Sequence, residues 1–165
     1  GAESDYKLNT GCRGKGKYES CGLTQITPLS TDEANGLLTS IKEKKRYNFD
    51  DLKEKAIRKE IDEAGLRDFI EIGLITYGDG KKEIAKICPT CSEAVKSDIT
   101  SISYNLGKTA TQTFLSEYIK KNGPPKTTEN FLRSITEQEL DRFYLKKDVP
   151  QKKRIIDRYV QRVRR

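Results

Sequence analysis

Between Cys88 and Ile119 the chain reads CPTCSEAVKSDITSISYNLGKTATQTFLSEYI, and this stretch constrains the fold most. Ser92 stands where a helix N-cap belongs, with Glu93 in the first turn behind it. Val95, Ile99, Ile102 and Leu106 then recur at steps of four, three and four, one apolar stripe on an α-helix. Gly107 interrupts the stripe, and a second begins at once with Phe114, Leu115, Tyr118 and Ile119. Asn122-Gly123-Pro124-Pro125 stops it with residues that cannot continue a helix. The pattern predicts two packed helices with a corner near Asn105 and Gly107.

Helical signals surround this pair. Ser30-Thr31-Asp32-Glu33 has the capping-box pattern, and Ala34, Leu37, Leu38 and Ile41 form the apolar face behind it. Asp50 or Asp51 is the expected cap of a next helix bearing Leu52, Ala56, Ile57 and Ile61, with Gly65 as its stop. Leu66, Phe69 and Ile70 predict a short helix, the stretch from Gly73 to Gly80 a brief strand or loop, and Ile84 and Ile87 another short helix. Thr128 and Thr136 are read as caps of two further short helices, and Asp148 and Pro150 open a last one. The expected fold is mostly α: about eight helices in one domain over residues 1–165. Residues 1–26 form an irregular glycine-rich region and residues 27–165 a helical core.

A chain of 165 residues is long enough for a real core. Only 34% of residues are apolar and 35% are charged, so that core should be modest and the surface highly charged. No apolar run approaches the length of a membrane span. The net charge of +7 favours an anionic partner: an acidic cell wall, a nucleic acid or an anionic membrane surface. Nine Lys or Arg against two Asp fall between Lys146 and Arg165. Exposed aromatics interleaved with cations are not evident in that helix, and Tyr159 reads as buried, so nucleic acid is the less favoured partner. Histidine is absent, which removes the commonest general base and metal ligand. Chemistry here would fall to carboxylates, Tyr, Lys, Cys or backbone groups.

The four cysteines allow two disulfides or a four-cysteine zinc site. Only Cys88-x-x-Cys91 resembles a zinc knuckle, so the spacing favours the disulfides Cys12–Cys21 and Cys88–Cys91, with free thiols or other pairings as alternatives. Disulfides place the protein outside the reducing cytosol, secreted or extracellular. The basic loop between Cys12 and Cys21 is rich in glycine but lacks the Gly-Lys-Ser/Thr ending of a phosphate loop, and no cofactor is expected. Arg162-Val163-Arg164-Arg165 matches the pattern cut by furin-like processing proteases, which points to release from a precursor.

Among the acids, Glu3 and Asp5 are candidates at the N-terminus. Glu19 stands out because Gly22-Leu-Thr-Gln-Ile26 follows it, and a carboxyl set against apolar and amide groups can serve as a general acid.

Two stretches resemble the phage-type lysozyme (muramidase) family. Ile26-Thr-Pro-Leu-Ser-Thr-Asp-Glu-Ala-Asn-Gly-Leu-Leu38 is similar to the helix start after that family's catalytic hairpin. Ser101-Ile-Ser-Tyr-Asn-Leu-Gly107 with Gln112-Thr-Phe-Leu115 is similar to its buried helix pair. The basic Lys152-Lys153-Arg154 helix is similar to its closing helix. On this alignment the hairpin ends over Tyr6 to Gly11, with Lys7 at the family's Thr position. The family's catalytic Glu would precede residue 1, and residues 44 to 90 are an insertion. The resemblance implies a helical lysozyme-like lobe. A looser similarity to lytic transglycosylases implies Glu19 as general acid, with Gln25, Tyr104 and Asn105 lining the cleft. Two functional expectations follow. The first is a muramidase-like protein acting on or binding an anionic cell-wall glycan. The second is a non-enzymatic processed subunit or toxin component, acting through a protein interface with a partner chain from the same precursor.

Overall fold

Eight helices and one two-stranded hairpin make up the computed structural model, which describes residues 11–16 and 19–163. The expectations for Glu3, Asp5, Tyr6, Lys7, Arg164 and Arg165 lie outside the described residues. The fold is mostly helical, with a disulfide-stapled loop at its N-terminal end. The chain divides into two compact units, residues 1–78 and 79–165.

The first unit starts with β1 (Cys12–Arg13) and β2 (Ser20–Cys21), antiparallel, with Cys12 opposite Cys21 and Arg13 opposite Ser20. The Cys12–Cys21 disulfide joins the first of these pairs. Helix α1 (Pro28–Ser40) follows. Its cap is Thr27, not Ser30: the Thr27 side chain accepts from the Ser30 N–H and the Ser30 hydroxyl accepts from the Thr27 N–H. Pro28, fixed in φ and lacking an N–H, takes the first helical position and moves the start upstream of the Ser-x-x-Glu pattern. Helix α2 (Phe49–Arg58) is capped by Asn48 rather than by Asp50 or Asp51. It ends at Lys59 in the left-handed conformation, well before Gly65. Ile41 and Ile57, expected inside, are 67% and 51% exposed.

The largest correction concerns α3. One helix runs from Glu63 to Ile87, 25 residues, where the glycines predict a helix, a strand or loop, and a second helix. Its interior Gly73 serves close approach. A Cβ on Gly73 would lie 3.0 Å from the Thr24 side chain. The first unit's core gathers Ile26, Ala34, Leu52, Ala56, Phe69 and Ile72. Each large apolar side chain buried there contributes roughly 1.5–3 kcal/mol.

The segment before α2 is tied to α3 by one polar cluster. Lys45 Nζ lies 2.8 Å from Glu71 and 3.1 Å from Asp68, and the Tyr47 hydroxyl donates to Glu71 at 2.6 Å. The Lys45 and Tyr47 contacts hold the Glu71 carboxyl below the usual carboxylate range. Desolvation first, then the hydrogen bond to Glu71, push the Tyr47 phenol above its own. A carboxyl depressed in the folded state stabilises the protein above its unfolded pKa, and that stability is lost as pH falls through the folded value. Unfolding midpoints in urea should therefore drop on acidification below about pH 4.5, and Glu71→Gln should reduce that drop. An unchanged pH dependence in the variant would refute the linkage.

In the second unit α4 (Glu93–Leu106) is capped by Ser92 as expected, and α5 (Lys108–Asn122) ends at Gly123. Gly107 makes the corner with φ 113°. Short helices α6 (Thr128–Arg133) and α7 (Glu137–Leu140) are capped by Thr127 and Thr136. Thr128, expected as a cap, is buried and donates instead to Asp98 at 2.7 Å. Helix α8 (Val149–Val163) closes the chain. Ile99, Ile102, Leu106, Leu115, Phe131 and Leu132 form the centre of the core, all fully buried. Cys88 and Cys91 are joined by a disulfide in the turn between α3 and α4. With both disulfides formed, the cysteine sulfurs are not thiolate ligands, which sets aside the zinc alternative. No described helix is long and apolar enough to cross a membrane.

Candidate functional site

The stapled loop positions Glu19 and Gln25 through backbone bonds. Cys21 and Ile26 exchange hydrogen bonds of 2.8 and 2.9 Å, which turns the chain sharply between them. Gly22 takes φ 76° in that turn, and a Cβ there would meet the Phe69 ring, 2.7 Å from Cζ. Gln25, at φ 49°, folds back so that its amide donates to the Gly22 carbonyl at 2.6 Å and accepts from the Ser20 hydroxyl at 3.1 Å. Glu19 lies beside the Cys12–Cys21 staple, one carboxylate oxygen within 4.8 Å of both sulfurs. Its side chain is only 19% exposed and pairs with Lys53 of α2 at 2.9 Å. The hydrogen bond to Glu19 raises the Lys53 ammonium above its ordinary range.

Tyr104 and Asn105 belong to the second unit, at the C-terminal end of α4. The Asn105 amide donates to the Tyr159 hydroxyl at 3.0 Å, and its carbonyl accepts from Lys152 at 3.1 Å. Tyr159 in turn donates to the Ser101 carbonyl at 3.3 Å. Asn105 therefore anchors α8 to α4 and satisfies part of the α4 C-terminus. Burial lowers the Lys152 ammonium, and Asp148 opposes the shift. Tyr104 is 42% exposed, with its hydroxyl over Gly80. Glu19 and Gln25 belong to the first unit, and Tyr104 and Asn105 to the second.

The outer face of α8 has a different character. Ile156 and Tyr159 turn inward, and Arg154, Arg158 and Arg162 stand exposed at four-residue spacing. Successive steps place these cations about 6 Å apart along the axis. Among the described residues, Arg154, Arg158 and Arg162 form no ion pair, and the Arg162 guanidinium lies 5.6 Å from the Tyr159 ring centroid. Lys153 pairs loosely with Asp157 at 3.6 Å, α8's sole acid. Many cations elsewhere are neutralised: Lys45, Lys53, Lys55 and Arg142 each hold a carboxylate within 3.2 Å. Sequence reasoning finds the basic helix but misses Lys53 as the partner of Glu19 and Tyr159 as the partner of Asn105. Those pairs lie 34 and 54 residues apart and leave no local signal. No family model, no curated protein and no solved structure matches this chain.

Proposed function

We propose that the protein works outside the cytosol and binds an anionic cell-wall-type glycan through the outer face of α8. The observation that carries this reading is the ladder of Arg154, Arg158 and Arg162, exposed and without carboxylate partners among the described residues. A row of uncompensated cations at regular spacing suits a linear polyanion, because each contact releases condensed counterions. The two disulfides suit an oxidising compartment. The lysozyme-family resemblance around Ser101–Gly107 and Lys152–Arg154 points to wall glycan as the polymer.

Binding is favoured over cleavage by the setting of Glu19. Its carboxylate is already engaged by the Lys53 ammonium at 2.9 Å, and that pair would have to break before Glu19 could reach a sugar oxygen.

Titration of the protein with a linear polyuronate at several salt concentrations tests the reading. The logarithm of the binding constant should fall linearly with the logarithm of salt. The triple variant Arg154→Gln, Arg158→Gln, Arg162→Gln should lower that slope by about 2. Binding that ignores salt, or survives the triple substitution intact, refutes the proposal. Wall turnover by the wild type that disappears in Glu19→Gln would replace it with the hydrolase reading.

A further inference from the structure

Adjacent basic residues recur along the chain, at Lys44-Lys45-Arg46, Arg58-Lys59, Lys81-Lys82, Lys120-Lys121, Lys146-Lys147 and Lys152-Lys153-Arg154, and at Arg164-Arg165 outside the described residues. An endoprotease that reads two neighbouring cations takes its substrate as an extended strand, so local structure decides which pair it reaches. Arg58-Lys59 closes α2, with the Lys59 N–H on the Ala56 carbonyl at 3.3 Å and the Glu60 N–H on the Lys55 carbonyl at 3.0 Å. Lys81-Lys82 lies inside α3, Lys120-Lys121 in the last turn of α5, and Lys152-Lys153-Arg154 in α8. Lys146-Lys147 sits within a turn closed by the Asp148 N–H on the Leu145 carbonyl at 2.8 Å. Residues 43–48 differ from all of these. They form neither helix nor strand, and Ile41 to Arg46 are all exposed. Among the described residues, the N–H groups of Lys44, Lys45 and Arg46 make no backbone hydrogen bond.

We propose that the Arg46–Tyr47 peptide bond is a processing site for an endoprotease whose carboxylate-lined pockets recognise paired basic residues. Hydrolysis adds one water across the bond, leaving a carboxylate on Arg46 and a new amino terminus on Tyr47. The side chain that must enter the first pocket is available. Among the described residues, the Arg46 guanidinium donates to the backbone carbonyls of Glu43 and Lys45, at 2.8 and 2.7 Å, and forms no ion pair. Lys45, which enters the second, is held at 43% exposure by Asp68 and Glu71. Ion pairs this exposed hold a lysine weakly.

The residue after the cut is the restraint. Tyr47 is 6% exposed. Its N–H donates to Asn35 Oδ1 at 2.8 Å, its carbonyl accepts from Asn35 Nδ2 at 2.9 Å, and its hydroxyl donates to Glu71 at 2.6 Å. Glu71 thus holds both sides of the bond, through Lys45 before it and Tyr47 after it, and acts as the latch of the segment. Cleavage leaves the Cys12–Cys21 staple on one product and the Cys88–Cys91 disulfide on the other, with no disulfide across the break.

The test is timed digestion of the folded full-length protein by a purified subtilisin-type endoprotease specific for paired basic residues, followed by intact mass. The first internal cut should fall between Arg46 and Tyr47. Arg46→Gln should lose it while keeping the wild-type circular dichroism, and Glu71→Gln should be cut faster than wild type. A first internal cut after Lys59, Lys82, Lys121 or Lys147, or inside α8, overturns the proposal. So does resistance of the native protein when the denatured chain is cut after Arg46. Glu71→Gln cut no faster than wild type overturns the latch.

Discussion

Gly107→Ala is expected to lower the unfolding free energy by about 4 kcal/mol. Two separate costs add at this position. The backbone sits at φ 113° and ψ 130°, a region that side chains with a Cβ rarely enter. The new methyl would also stand 2.6 Å from the Tyr144 hydroxyl oxygen. Tyr144 has little room to retreat: its hydroxyl is buried and the Lys152 ammonium lies 4.8 Å from its ring centroid. Gly123→Ala provides the control. Gly123 also has a positive φ, 77°, with ψ −178°, but no atom lies within 4 Å of the place its new methyl would take, so it should show the backbone cost alone, about 1–3 kcal/mol. Urea unfolding of the two variants separates the terms. Equal losses would mean that Tyr144 does not restrict the corner.

Phe69→Ala should cost a similar amount, about 3–5 kcal/mol, through the cavity it leaves. The Phe69 ring is fully buried and fills the space under Gly22, where the chain turns between Cys21 and Ile26. Thr24 caps the arrangement by donating to the Phe69 carbonyl at 2.7 Å, and that bond survives the substitution. The loss should therefore be felt first as a loosened loop. Hydrogen exchange of the Cys21 and Ile26 amides, which bond each other's carbonyls, should accelerate more than exchange of amides in α4. A loss under about 1 kcal/mol would show that the loop closes over the gap unaided.

Local rules carry most of the helical reading. Ser92, Gly107, Gly123 and Thr136 each mark a terminus because the signal and the hydrogen bond it satisfies lie within four residues of one another. The same rules fail where two signals compete. Thr27 and Ser30 both have a capping hydroxyl, and Pro28 decides between them. They fail again at α3, where Gly73 and Gly80 read as breaks. Their meaning is tertiary: Gly73 admits the Thr24 side chain, and Gly80 lies beneath Thr100 and Tyr104. Helix propensity charges each glycine about 1 kcal/mol, which close packing can offset. The candidate site is the least legible part. A lone Glu19 in a glycine-rich loop looks the same in sequence whether it meets a sugar or Lys53. Asn105 looks the same whether it lines a cleft or bonds Tyr159. The arginine ladder of α8 is legible because its spacing is periodic, but its freedom from carboxylates depends on side chains far along the chain.

The two disulfides join cysteines only 9 and 3 positions apart. Four cysteines can pair in three ways, and both other pairings would have to close much longer loops through the middle of the chain. Chain entropy alone disfavours those pairings by several kcal/mol in the unfolded ensemble. Correct oxidation therefore does not wait for the helices to assemble. The reduced polypeptide carries its own bias against scrambled isomers, and renaturation from denaturant with a simple thiol redox buffer should recover the native pairing without an isomerase.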